Sequence, residues 1–140
     1  MTPHHERGLL DTSTLIFLGR LSPSAPLPEE ALICAITLAE LSVGPLVATT
    51  DEARAARQAH LQLAEADFDP LPFDASAARA FGRVAAALRG SGRKPAARAY
   101  DALIAATAIA NALPLFTCNP ADFSGIPELT VVAVPHPDQT

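Results

Sequence analysis

Residues 8–19 read GLLDTSTLIFLG, an apolar run that ends in an aspartate and is followed by hydroxyl side chains and a second apolar run. The first run has the length and composition of a short buried strand, and it ends at Asp11. The hydroxyl residues 12–14 then form a turn that leads into a helix beginning near Leu15. This unit predicts an α/β fold in which Asp11 lies at the carboxyl end of the first strand.

The same alternation of strand and helix patterns continues to the end of the chain. Asp74 has the sequence context of a helix N-cap, and the pair Thr49 and Glu52 has the spacing of a capping box. Pro45 is expected to kink or shorten the helix that contains it. Continuous apolar strands between helices indicate a mainly parallel sheet covered on both faces, a three-layer α/β/α architecture. The predicted strands occupy residues 8–11, 31–36, 113–117 and 130–134, and the predicted helices 37–48, 49–66, 75–90 and 100–112.

Length and composition limit the protein to one domain. The 140 residues are 49% hydrophobic and 18% charged, which is typical of a folded globule and excludes a disordered chain. We expect a single domain, 1–140, with a core at about residues 8–134 and flexible termini. No apolar run reaches the length of a membrane span, and Cys34 and Cys118 lack metal-ligand spacing. The sequence therefore predicts a cytoplasmic protein with two buried free thiols.

The charge distribution is uneven. Ten Lys and Arg against 15 Asp and Glu give a net charge of −5, the wrong sign for binding nucleic acid by overall attraction. Residues 75–98 nevertheless carry basic side chains without an acidic one, and residues 99–140 contain no Lys or Arg. The basic strip is either a solvated surface or a contact for an RNA backbone. Its members nearest the next helix are Arg89, Arg93, Lys94 and Arg98.

Four acidic residues lie where a parallel sheet gathers its ligands, outside the carboxyl ends of the strands. Asp11 ends the first strand, and Glu40 lies one turn into the helix after the second. Asp101 opens the helix before the third strand, and Asp122 follows that strand. Each also has a structural alternative. Asp11 and Asp101 can act as helix caps, and Glu40 can complete a capping box with Thr37.

The surroundings of these acids favour a site over four separate caps. Glu40 and Asp101 interrupt sequence that is otherwise fit for burial, and a buried carboxylate without a partner is costly. Oxygen ligands that converge without a nearby Lys or Arg suit Mg²⁺ or Mn²⁺. The four histidines of the chain show no ligand spacing, and we expect them on the surface. They are His4, His5, His60 and His136.

Four segments together resemble the signature segments of the PIN-domain ribonucleases, in particular the VapC toxins of bacterial toxin–antitoxin pairs. They are LLDTSTLIFL (9–18), ITLAELSVG (36–44), YDALIAATA (100–108) and TCNPADF (117–123). The resemblance implies that Asp11, Glu40 and Asp101 are the three principal metal-binding acids. The fourth, more variable ligand falls at Asp122 or at the amide of Asn119.

The resemblance also assigns supporting roles and marks two departures. Ser13 and Thr117 match small hydroxyl residues that support the metal site by hydrogen bonding. Cys118 stands where the family commonly has an arginine, and Tyr100 stands where a polar residue such as asparagine is frequent. The first departure concerns an extra RNA contact that the arginine would make, and neither departure removes a metal ligand.

The function implied by the resemblance is that of a divalent-metal-dependent endoribonuclease in which Mg²⁺ or Mn²⁺ activates water. As a toxin, such a protein implies a VapB-like antitoxin as partner, an RNA substrate and a homodimer. The alternative is a catalytically silent PIN-like binding module that acts through protein or RNA contact alone. A phosphatase with Asp11 as nucleophile is disfavoured because that pattern requires a second acid where Ser13 stands.

Overall fold

Four parallel strands form the central sheet of the computed structural model, which describes residues 5–92 and 99–139. The strands are β1 (Arg7–Leu10), β2 (Glu30–Leu32), β3 (Leu115–Thr117) and β4 (Val131–Ala133). The strand order is β2-β1-β3-β4, and every pair of neighbours in this described part is parallel. The mainly parallel sheet predicted from the sequence is therefore confirmed.

Helices cover both faces of the sheet, as the three-layer prediction requires. The helices are α1 (Thr12–Ile16), α2 (Ala35–Val47), α3 (Asp51–Asp67), α4 (Ala75–Gly90) and α5 (Ala99–Ala110). Successive strand residues point to opposite faces. Leu9 and Leu115 belong to one apolar cluster, together with residues of α4 and α5, whereas Leu10 and Phe116 belong to a second cluster with residues of α1, α2 and α3.

The helix starts follow local capping chemistry. Asp74 caps α4, its side chain accepting a hydrogen bond of 2.9 Å from the backbone N–H of Ala77, as predicted. The cap of α3 is Thr50, which accepts from the N–H of Ala53 at 3.0 Å. The predicted cap, Thr49, was therefore wrong by one residue, because Thr50 is the last residue with extended backbone before the helix.

The predicted strand at 31–36 is shorter in the structure. Strand β2 ends at Leu32, the partner of Leu9 in β1, and α2 begins at Ala35. The extended residues between them pair instead with Leu71, whose N–H donates to Ile33 O at 3.0 Å. Pro45 lies inside α2, which ends two residues later at Val47. No helix in the described part of the chain is long and apolar enough to cross a membrane.

The parallel sheet determines where a site can form. The carboxyl ends of all four strands lie at the same edge, so Asp11 and the residues that follow β3 meet there. The short connection at 111–114 joins the end of α5 to the start of β3. The first turn of α5, which contains Asp101, therefore lies toward the carboxyl edge of the sheet. Helix α5 also contacts the 3-10 turn Pro120–Phe123, which contains Asp122.

Candidate functional site

Asp11 is the centre of the site, at the junction of β1 and α1. It is only 5% exposed. Its Oδ1 accepts from the backbone N–H of Thr14 at 3.0 Å, so Asp11 is the N-cap of α1. Its Oδ2 accepts from Thr117 Oγ1 at 2.6 Å, across 106 residues of sequence. Asp11 therefore caps a helix and is also oriented by a neighbouring strand, a combination that a simple cap does not require.

The three predicted supporting residues surround Asp11. Thr117 Oγ1 accepts from the N–H of Asn119 at 2.9 Å while it donates to Asp11. Asn119 Nδ2 donates to Ser13 Oγ at 3.1 Å, and Ser13 Oγ lies 3.3 Å from each carboxylate oxygen of Asp11. The loop after β3 and the first turn of α1 are thus joined by side-chain hydrogen bonds around one carboxylate.

Glu40 lies near Asp11 and is held by a residue of α1. Glu40 Oε1 accepts from Thr12 Oγ1 at 2.7 Å, and Thr12 Oγ1 also lies 3.0 Å from the hydroxyl of the buried Thr37. The capping-box alternative is wrong, because α2 begins at Ala35 and Thr37 is its third residue. Burial raises the pKa of Glu40, the Thr12 hydrogen bond lowers it, and the negative charge of Asp11 raises it further. The two acids therefore repel each other across the site.

This raised pKa gives a prediction for stability. A proton binds Glu40 more tightly in the folded than in the unfolded protein, so the metal-free protein loses stability as the pH rises from about 4.5 through the folded pKa. Glu40→Gln keeps an acceptor for Thr12 but removes the charge. We expect it to raise the free energy of unfolding at pH 7 in chelator, and to raise it less at pH 4.

Urea unfolding at the two pH values measures this effect. The matched control is Glu65→Gln, which removes an exposed carboxylate from α3. An equal response of the two variants at pH 7 would contradict the mutual repulsion of Glu40 and Asp11.

Asp101 and Asp122 are half-buried and lie on elements that reach the same edge of the sheet. Asp101 is the third residue of α5, inside its first turn, and is therefore not an N-cap. Asp122 lies in the turn Pro120–Phe123, where its N–H donates to Asn119 O at 3.0 Å. Both residues have further interactions of their own. That Asp101 and Asp122 share one site with Asp11 and Glu40 stays a prediction.

The donor chemistry fits a hard divalent cation. Asp11 and Glu40 offer carboxylate oxygens held in place by hydroxyl groups, and two repelling carboxylates are stabilised by a shared cation. Within residues 5–92 and 99–139, no three His, Cys, Asp or Glu side chains already lie close enough together to hold a metal ion. The structure thus brings together a pair of acids, which a third ligand would have to join.

The remaining predicted residues fall in three groups. Arg89 is exposed at the end of α4, whereas Arg93, Lys94 and Arg98 lie outside the described residues, as does His4. Cys34 and Cys118 are free and buried, as predicted. Burial raises the pKa of both thiols, and the charge of Asp11 adds to the rise at Cys118.

Three threonines that position the site were not predicted from the sequence. Thr12 orients Glu40, Thr37 lies against Thr12, and Thr14 Oγ1 accepts from the N–H of Cys118 at 3.0 Å. The available signal was the DTST run at 11–14, in which hydroxyl side chains follow a strand that ends in an acid. Which partner each hydroxyl finds depends on elements distant in sequence.

Comparison with known proteins gives consistent matches over most of the chain. The sequence profile of the PIN-domain family matches residues 9–129. Ribonuclease VapC5 of Mycobacterium tuberculosis is 43% identical over 112 residues, covering 79% of this chain and 81% of that protein. Ribonuclease VapC4 of the same organism is 33% identical over 132 residues, covering 91% and 97%.

The fold has the same relatives. The crystal structure of VapBC-5 from Mycobacterium tuberculosis, a member of the VapBC family of toxin–antitoxin systems, matches with a TM-score of 0.76 and 35% sequence identity. The match covers 92% of this chain and 99% of that one.

Proposed function

The chain belongs to the PIN-domain family and, within it, to the VapC ribonucleases, and from this membership we propose that it is a divalent-metal-dependent endoribonuclease acting as the toxin of a toxin–antitoxin pair. The observation that carries the proposal is the arrangement around Asp11. A buried carboxylate at the end of β1 is oriented by Thr117 of β3 and stands against a second acid from α2. A silent binding module has no need of two repelling carboxylates held in this way.

The residues that would hold Mg²⁺ or Mn²⁺ are Asp11, Glu40 and Asp101, with Asp122 or Asn119 as a fourth ligand. Such an ion supplies charge neutralisation at the scissile phosphate and acidifies the attacking water. Asp11, Glu40, Asp101 and Asp122 are the catalytic acids under this proposal.

The hydrogen-bond network of the chain prepares two of these acids. Thr14 N–H and the Thr117 hydroxyl each occupy one lone-pair direction on Asp11, and the Ser13 hydroxyl approaches both oxygens at 3.3 Å. Part of the carboxylate's lone-pair directions is left for a ligand. The Thr12 hydroxyl orients Glu40 in the same way. Because a water molecule is the nucleophile, no covalent intermediate on the protein is required.

The proposed protein partner is a VapB-like antitoxin, by analogy with the VapBC-5 complex. Helix α2, which carries Glu40, exposes apolar side chains on its last turns: Val43 is 46% exposed, Leu46 85% and Val47 61%. Adjacent apolar side chains on a surface favour contact with another protein. An antitoxin segment bound there would lie on the same helix as the acidic site. We also propose that the protein forms a homodimer.

RNA cleavage by the purified protein tests the proposal. Incubation with total RNA and Mg²⁺ or Mn²⁺ should produce a small set of new RNA ends. Sequencing of the RNA ends identifies them. Thr117→Val removes the hydroxyl that orients Asp11 and should lower the yield of the same ends about 10- to 100-fold. Intact RNA with the wild type would favour the silent module, and equal yields from both proteins would indicate a contaminating ribonuclease.

A further inference from the structure

A cavity of about 220 Å³ opens beside the acidic pair, between α1, α2 and α3. Thr12 and Glu40 line it from the side of the proposed metal site, and Arg57 and His60 line it from α3. Arg57 and His60 are three residues apart on one helix, so they face the same direction. The cavity is therefore lined by a proposed catalytic acid, Glu40, on one side and by the basic Arg57 and the imidazole of His60 on the other.

Gly44 allows the side chain of Arg57 to lie close against α2. Arg57 Nη1 donates to Gly44 O at 3.0 Å. A Cβ atom at Gly44 would stand only 3.3 Å from Cδ of Arg57, so the glycine lets the arginine stem lie directly on α2. This contact uses one of the five guanidinium N–H donors, and a phosphate can accept two others.

A purely structural role for Arg57 would be to satisfy a carbonyl near the carboxyl end of α2. Arg54 already has such a role: its Nη2 donates to Ala48 O at 3.4 Å, and its Nη1 pairs with Asp51 at 2.8 Å. Arg54 does not line the cavity, whereas Arg57 does. The two arginines thus share a helix and a capping contact and differ in their access to the cavity.

Charge indicates what the cavity would take. The protein carries a net charge of −5, and its proposed catalytic acids add a local repulsion to any polyanion. A cation next to these acids offsets that repulsion for a chain of phosphates but serves no purpose for a neutral substrate. We propose that Arg57, with His60 as a neighbouring donor, binds an RNA backbone phosphate adjacent to the scissile one. This inference rests on the proposed ribonuclease function.

Steady-state cleavage of a single-stranded RNA oligonucleotide containing a mapped cleavage site tests the inference. Arg57→Gln should raise KM on the order of tenfold and leave kcat nearly unchanged. It should also flatten the dependence of log(kcat/KM) on log[salt] by about 0.7, the value for one phosphate contact on a single strand. Arg57→Lys, which keeps the charge, should retain the wild-type salt slope.

The matched control is Arg54→Gln, which removes a capping arginine from the same helix and should leave KM and the salt slope at wild-type values. Wild-type KM and slope in Arg57→Gln would overturn the phosphate assignment, and so would equal changes in the two glutamine variants. Failure of the proposed function is distinguishable, because the wild type itself would then leave the oligonucleotide intact and both proposals would fall together.

Discussion

Replacing Asp11 with asparagine should lower RNA cleavage by about 10³-fold while the protein stays folded. The asparagine Oδ1 can still accept from Thr14 N–H, and asparagine is as good an N-cap as aspartate. Its Nδ2 can donate to Thr117 Oγ1, so the contact between α1 and β3 can reverse its direction rather than be lost. The replacement removes the negative charge that would hold a cation at the reacting phosphate. Preorganised electrostatic stabilisation of this type is usually the largest single contribution to catalysis.

Asp74→Asn is the matched control for this variant. Asp74 caps α4 with the same geometry, accepting from the N–H three residues later, and it lies outside the site. The Asp74→Asn variant should cleave RNA at the wild-type rate. Initial rates with the oligonucleotide and urea unfolding of both variants separate the two effects. A fall in cleavage that follows unfolding stability in both variants would return Asp11 to the role of a helix cap.

The second large effect is expected at Asp101, which is a predicted site residue and lies in the first turn of α5. Asp101→Asn should reduce cleavage at least a hundredfold, comparable with the loss of one electrostatic contact to a transition state. In chelator it should also raise the free energy of unfolding on the order of 1 kcal/mol, because in the predicted four-acid site Asp11 and Glu40 would lose a like-charged neighbour. If Asp101 interacted only with the helix dipole, the same replacement would instead lower the free energy of unfolding, by about 0.3–1 kcal/mol.

Metal titration completes the Asp101 test. Millimolar Mg²⁺ or Mn²⁺ should stabilise the wild type more than Asp101→Asn, since a ligand of the native state adds stability according to its affinity. Thermal unfolding with chelator and with metal measures the difference. Glu52→Gln, a first-turn acid of α3, is the control and should respond to metal as the wild type does. Equal metal responses, together with lower metal-free stability of Asp101→Asn, would remove Asp101 from the site.

Part of the fold could be predicted from the sequence because it depends on local chemistry. Asp74 followed by a helical apolar pattern specified a cap and a helix, and the structure has both. The error at Thr49 arose because two adjacent threonines offer the same capping oxygen, and only the backbone decides which of them is extended. The strand predicted at 31–36 was too long because Ile33 and Cys34 pair with the distant Leu71 and α2 begins at Ala35.

The sequence by itself determined the alternation of strands and helices and placed Asp11 at a strand end, since both depend on apolar periodicity within a few residues. Only the tertiary structure decided the partners: Thr117 donates to Asp11 across 106 residues, and Thr12 donates to Glu40 across 28. These contacts follow from the strand order β2-β1-β3-β4, which puts β3 beside β1 and aligns their carboxyl ends. Each hydroxyl can pair with many acceptors, and the packing of distant elements selects the acceptor that comes within hydrogen-bond distance.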